Sequence, residues 1–144
     1  MKLQNELNVY LSNQSVMNMK LHNLHWFVTG EGFFAAHAKL EELYNIAAEQ
    51  VDFVAELLLS SEMKPVASLK EQLSLASIKE LPDSKISTSE AMKIVLADYK
   101  ILKDDCEKIS ALAEAEKKQS IVDFMNSNIS NYEKNIWMLK SFLA

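Results

Sequence analysis

The sequence predicts an all-α fold, a four-helix bundle with a short extra helix in its long crossover connection. Three observations predict it. Hydrophobic residues make up 49% of the chain while only two glycines and two prolines interrupt it, too few breakers for an all-β protein. Apolar residues recur every three to four positions over long stretches. Turn and cap signals divide those stretches into four, with a polar connection in the middle. At 144 residues the chain is expected to be one domain, residues 1–144, long enough to bury its own core.

The first helix is expected from about Leu3 to Val28, where Leu3, Leu7, Leu11 and Val16 give an apolar stripe. It ends at Thr29-Gly30-Glu31-Gly32, which holds both glycines. The second runs from about Phe34 to Ser61 on the stripe Leu40, Leu43, Ala47, Val51, Val54 and Leu58, and Pro65 stops it. Between Pro65 and Pro82, VASLKEQLSLASIKEL can form one short helix. The third long helix starts where Ser87 and Glu90 fit a capping box and continues to about Ala115. A charged turn, Glu114–Lys118, leads to the fourth, from about Ser120 to Phe142. Two long helices, a long connection and two more long helices describe the ferritin-like topology among bundle options. Each long helix would measure roughly 40 Å.

Charge and composition remove several function classes. Net charge is −5, and all fifteen basic residues are Lys. Phosphate contacts need cations and base readout favours Arg, so strong DNA binding is not expected. No apolar run approaches the roughly 20 residues that span a bilayer. MKLQNELNVYLSNQ is too polar for a secretory segment, which makes a cytoplasmic protein the expectation. The lone Cys106 has no disulfide or metal-site partner and reads as a small buried hydrophobe. The seven Met are scattered along apolar faces and read as core packing.

The chemistry concentrates between Lys20 and Glu56, which contain all three histidines. His25 and His37 stand twelve residues apart across the Gly-containing break, and Asp52 and Glu56 follow on the second helix. Imidazole and carboxylate together suit iron or another first-row divalent metal. On a regular helix His37, Glu41, Asp52 and Glu56 fall at about 0°, 40°, 60° and 100°, on one face. His37 and Asp52 are nevertheless about 22 Å apart along the axis, while metal–ligand bonds are about 2 Å long. One ion cannot bridge them within one helix. The segment therefore carries two half-sites, His37/Glu41 and Asp52/Glu56. Antiparallel pairing with the same helix of a second chain would join them twice about a two-fold axis, with His25 joining His37 across the break. An ordinary di-iron bundle would carry Glu-x-x-His pairs; none occurs here.

The residues HNLHWFVTGEGFF, His37, EELY at 41–44, VDFVAE at 51–56 and the ending NIWMLKSFLA resemble the signature of the Dps family, the miniferritins. The similarity spans nearly the whole chain. It implies a homo-oligomer, a hollow dodecamer of four-helix-bundle subunits with ferroxidase sites at the two-folds. Ferrous iron would be oxidised there, preferentially by hydrogen peroxide, and stored as a ferric mineral. By position the resemblance implies His25, His37, Asp52 and Glu56 as iron ligands, with Glu41, often Asp in the family, in or next to the coordination sphere. Trp26 matches an aromatic residue beside that site, and its oxidisable ring could supply an electron when a single iron is bound. Two departures stand out. Leu57 replaces a common Arg, and Ser60-Ser61-Glu62-Met63 replaces a common Gly-Gly, which suggests a slightly longer helix. The Lys-rich N-terminal extension by which many relatives bind DNA has no match, so DNA binding is not carried over.

Simpler readings stand beside these. His22, three residues before His25, could contribute to a small zinc site but is expected to be packed or hydrogen-bonded. Phe33 and Phe34 are expected to be packing. Asp123, near the start of the last helix, could belong to a ring of carboxylates at a three-fold cation pore, with Glu114 and Glu116 as weaker candidates. It could equally offset the helix dipole. Against the peroxide-consuming iron-storage cage stand a DNA-compacting nucleoid protein, a cage for zinc or manganese, and a helical protein that has lost the chemistry.

Overall fold

The computed structural model describes residues 1–144 and consists, in chain order, of α1 (Lys2–Phe27), β1 (Val28–Thr29), α2 (Phe33–Ser60), α3 (Leu69–Leu75), β2 (Ile86–Ser87), α4 (Thr88–Ala115) and α5 (Gln119–Leu143). The four long helices and the short one in the connection are those the apolar spacing predicts. α1 packs along α2, α4 packs along α5, and α1 joins the two pairs by packing on α4. The buried apolar side chains form one continuous cluster, to which all four long helices contribute.

α1 is the central helix, and this explains its many buried polar residues. Besides Leu3, Leu7, Leu11, Leu21 and Leu24 it buries Asn8, Asn13, Gln14 and Lys20. A buried polar group is costly unless it is bonded, and each of these four is. Asn8 clamps the start of the crossover, its Nδ2 donating to the Lys64 carbonyl at 2.9 Å and its Oδ1 accepting from Val66 N–H at 2.9 Å. Asn13 holds the stretch after α3, its Oδ1 accepting from the N–H groups of Ser77 and Ile78, while its Nδ2 reaches the Asp105 carboxylate at 2.8 Å. The long connection is thus tied to α1 by two asparagine side chains. Lys20 meets Asp98 of α4 at 2.6 Å, both side chains less than a tenth exposed. Burial pushes the Asp98 carboxyl up, and the Lys20 ammonium partly opposes that shift.

Helix ends follow capping chemistry. Ser87 Oγ accepts from Glu90 N–H at 3.1 Å, the first half of the expected capping box, but the Glu90 carboxylate turns to Lys93 instead. α2 does not run on past Ser61. It ends in a Schellman turn, with Met63 N–H bonded to Leu58 C=O at 2.8 Å and Glu62 N–H to Leu59 C=O at 3.0 Å. Glu62 takes the left-handed conformation, φ 60°, that a glycine would adopt more readily. The same turn ends α4, with Lys117 at φ 58°. Leu57, where an Arg is common, is buried in the core.

One feature has no sequence signal. β1 and β2 form a two-residue parallel bridge, Val28 beside Ile86 and Thr29 beside Ser87. Thr88 Oγ1 donates to the Glu31 carbonyl at 2.7 Å, and Gly30 and Gly32 both take positive φ. The loop between α1 and α2 is therefore pinned to the start of α4, which fixes the register between the two histidine-bearing helices.

Candidate metal centre

The interior of the bundle holds no metal-binding set. Its centre is filled by a polar network from three helices in which every donor has an acceptor. Gln14 Nε2 donates to Tyr132 Oη (2.6 Å), and the two phenol oxygens of Tyr132 and Tyr10 lie 2.7 Å apart. Tyr10 donates to Gln50 Oε1 (3.0 Å), and Gln50 and Asn128 exchange amide hydrogen bonds at 3.0 and 3.1 Å. Burial drives the Tyr10 and Tyr132 phenols well above their usual range, and the buried Cys106 thiol beside them up to about 12. No carboxylate belongs to this network. Within one chain no three His, Cys, Asp or Glu side chains converge on a common point.

The histidines gather at the α1–α2 corner. His25, only 7% exposed, sits in the last turn of α1, and His37 in the second turn of α2. Their rings stack at 3.6 Å with 15° between planes. His25 Nδ1 lies 2.8 Å from the His37 carbonyl, and His37 Nδ1 lies 2.9 Å from the His25 carbonyl. A carbonyl only accepts, so each Nδ1 donates its proton, and in a neutral ring Nε2 is then the nitrogen with the free lone pair. That is the tautomer a metal-binding histidine uses when its second nitrogen is held by a backbone carbonyl. Glu41 joins the corner, its Oε1 3.9 Å from His25 Nε2, with a side chain 56% exposed.

Asp52 and Glu56 are exposed on α2 and are not brought to the histidines. They lie on the same regular helix as His37, about 22 Å along it for Asp52 and about 28 Å for Glu56. Glu41, Asn45, Ala48, Asp52 and Glu56 are all exposed on the His37 side of that helix. So are Phe34 at one end, 87% exposed, and Leu59 at the other, 61% exposed. Phe34 therefore corrects the packing expectation: its ring meets only the edge of Phe33, while Phe33 stacks on His37.

His22 is packed and hydrogen-bonded. It stacks on Tyr44 at 3.7 Å, and its Nδ1 lies 2.7 Å from the Asn18 carbonyl. Trp26 is 64% exposed and tilts against His22 at 5.3 Å. Tyr44, to which the sequence reading assigned no role, sets its ring edge-on to His25 at 5.3 Å. Its signal was the seven-residue, two-turn spacing from His37. Asp123 is exposed in α5 and accepts from Gln119 Nε2 at 2.8 Å, while Glu114 and Glu116 are exposed at the α4–α5 turn. No helix is long and apolar enough to cross a membrane.

Helical hairpins joined through a long crossover, with ligand-type side chains on the long helices, define the ferritin-like class of bundles. The family described as a ferritin-like domain matches residues 4–144. DNA protection during starvation protein 2 of Bacillus anthracis is 36% identical over 138 residues, covering 95% of this chain and 93% of its own. The crystal structure of a Dps protein from Bacillus brevis superposes with a TM-score of 0.94 at 34% identity, covering 100% of this chain and 99% of that one. Dps from Vibrio cholerae, described as a member of a broad superfamily of ferritin-like diiron-carboxylate proteins, superposes at 0.94 with 34% identity over 99% of this chain and 89% of that one. The chain belongs to the Dps family of ferritin-like proteins.

Proposed function

We propose that this protein is a miniferritin subunit that assembles into a hollow dodecamer in the cytoplasm. It oxidises ferrous iron, preferentially with hydrogen peroxide, at sites shared between two subunits, and stores the ferric product inside. The observation that carries the reading is the reciprocal His25–His37 hydrogen bonding, which leaves the Nε2 atoms of both rings free of backbone partners, that of His25 with Glu41 3.9 Å away. Asp52 and Glu56 then complete each site from the antiparallel α2 of a second subunit.

The exposed face of α2 supports that pairing. Phe34 and Leu59 bracket the face at its two ends, so an antiparallel copy covers both at once, and solvent-exposed apolar groups of this size mark a surface that takes a partner. Oxygen and imidazole donors hold ferrous iron without thiolate competition, and the anionic oxygens favour the ferric product. Delivering both electrons to peroxide from a pair of ferrous ions avoids hydroxyl radical. Trp26, against His22 at the same corner, is the candidate oxidisable group, and Asp123 is the candidate for the pore through which iron enters.

The test is anaerobic loading of metal-free protein with ferrous iron, then peroxide, followed by ferric absorbance and particle mass. Fast oxidation with soluble iron held in a particle of about twelve subunits is expected. Oxidation at the protein-free rate by an assembled shell would overturn it.

A DNA-protecting role is the second reading, suggested by the name that the Bacillus anthracis relative shares with those of Listeria and Brevibacillus brevis. The net charge of −5 and the absence of Arg oppose it.

A further inference from the structure

The candidate metal corner is built from α1 and α2, yet the loop that joins them is held by the start of α4. That loop turns through Gly30 at φ 104° and Gly32 at φ 76°, with Phe33 N–H donating to the Gly30 carbonyl at 3.1 Å. Glycine accepts many backbone conformations, so the turn takes its shape from the groups bonded to it. Those groups lie on the stretch that enters α4. Thr29 Oγ1 donates to the Ile86 carbonyl at 3.2 Å beside the β1–β2 bridge, and Asn23 Nδ2 donates to the Pro82 carbonyl at 3.2 Å, both exposed to competing water. Thr88 Oγ1 donates to the Glu31 carbonyl at 2.7 Å, and Thr88 is buried. This is the shortest and best shielded of the three side-chain bonds across the contact, and shielding from water strengthens a hydrogen bond. Gly32 then opens α2, its carbonyl accepting from Ala36 N–H at 3.0 Å, and His37 follows directly. A displaced Glu31 would therefore displace the first turns of α2, and His37 with them.

We infer that Thr88 is a positioning residue of the metal site, setting the relation of His37 to His25 from the opposite helix pair. The inference rests on the ferroxidase reading above, which makes both histidines iron ligands. Their rings stack at 3.6 Å and exchange Nδ1–carbonyl bonds of 2.8 and 2.9 Å, an arrangement that holds in one register of α1 against α2. A helix advances about 1.5 Å and turns about 100° per residue, so a slip of one residue breaks both bonds. Ligand histidines that lose the outer hydrogen bonds holding them bind metal about ten to a hundred times more weakly. Ser87, not Thr88, caps α4, its Oγ accepting from Glu90 N–H at 3.1 Å, so the Thr88 hydroxyl is left for the Glu31 carbonyl. The α4–α5 pair thereby bears on metal affinity through one hydroxyl that is not itself a ligand.

The test compares the assembled parent with Thr88→Val and Thr88→Ser. Valine keeps the branched shape and removes the hydroxyl, serine keeps the hydroxyl, and the Ser87 cap stays in both. Ferrous iron is titrated without oxygen against a chromophoric chelator, and particle mass and denaturation midpoint are read on the same samples. The expected result is a ferrous Kd about tenfold higher in Thr88→Val and within about twofold of the parent in Thr88→Ser. If Thr88→Val does not assemble, Thr88→Ala removes the same hydroxyl without setting a second methyl group against the carbonyl, and the same result is expected of it. A parental Kd in the hydroxyl-free variant, whatever its midpoint, would overturn the role of Thr88 and leave the ferroxidase reading standing. An equal loss of affinity in Thr88→Ser would do the same. A parent that binds no ferrous iron would overturn both.

Discussion

His25 and His37 hold each other by reciprocal hydrogen bonds, each Nδ1 donating to the other's backbone carbonyl at 2.8 and 2.9 Å while the rings stack at 3.6 Å. One residue ends α1 and the other begins α2, so the pair fastens the corner and sets both tautomers at once. Replacing His37 with Ala removes a candidate ligand and frees His25 to change tautomer. Ferroxidase activity and zinc affinity, zinc serving as a redox-silent probe, should each fall by about tenfold or more. Helix content by circular dichroism should stay at the parental level. Loss of helix content alongside activity would mean that the pair is structural only.

The antiparallel pairing of α2 has a signature independent of metal. Asn45 is exposed, lies on the His37 side of α2 and falls midway in sequence between His37 and Asp52. A two-fold axis that brings His37 to its partner's Asp52 must pass close to residue 45 of both copies. Asn45→Cys should form a disulfide-linked dimer on mild oxidation, visible on a non-reducing gel. The native thiol should not interfere, because Cys106 is buried with its pKa pushed up to about 12 and thiolate is the reactive form. Absence of the crosslink in an assembled particle would contradict the pairing.

Lys20 and Asp98 form the one fully buried ion pair between α1 and α4. Breaking it in one partner strands a charge. Asp98→Leu should therefore cost about 3–5 kcal/mol in chemical denaturation. The double change Lys20→Met with Asp98→Leu should recover most of that loss, because replacing both charges relieves their desolvation. Because burial raises the Asp98 carboxyl pKa in the fold, the native state holds its proton to higher pH than the unfolded chain. This group's contribution is therefore largest below the usual carboxylate range and declines as pH rises through the folded value, so the parent's pH–stability curve should lose that component in Asp98→Asn.

Two helices end on non-glycine residues in the left-handed region, Glu62 at φ 60° and Lys117 at φ 58°. Glycine at either position relieves a penalty of about 1 kcal/mol, partly offset by its greater freedom in the unfolded chain. Glu62→Gly and Lys117→Gly should each raise the denaturation midpoint slightly and leave assembly unchanged. A lowered midpoint would show that the side chains contribute more than the backbone strain costs.

The bundle was legible in the sequence because apolar spacing and caps act locally. The Leu3-Leu7-Leu11 stripe, the Ser87 cap and the Pro65 stop each specify an element without knowledge of its neighbours. The β1–β2 bridge was not legible, since Val28 and Ile86 are far apart in sequence and the two residues on each side carry no strand pattern. The end of α2 at Ser60 falls next to the expected Ser61, although its Schellman turn uses Glu62 where glycine is usual. Phe34 was misjudged because an aromatic ring reads as core whether it is buried by its own chain or exposed for another. At the candidate site, the short break between α1 and α2 is what sets His25 beside His37 and Glu41. The backbone hydrogen bonds that set the tautomers, and the ring contact of Tyr44, depend on how α1 crosses α2 and leave no mark in residue spacing alone.

The central claim is that each site draws its histidines from one subunit and Asp52 and Glu56 from another. The direct test is complementation between two inactive variants, His25→Ala/His37→Ala and Asp52→Asn/Glu56→Gln, unfolded together in equal amounts and reassembled. In a two-fold pair of unlike subunits one of the two shared sites is intact, so random mixing should restore about a quarter of the parental ferrous oxidation rate. Mixed shells of the parental mass that remain as inactive as either variant alone would contradict the shared site.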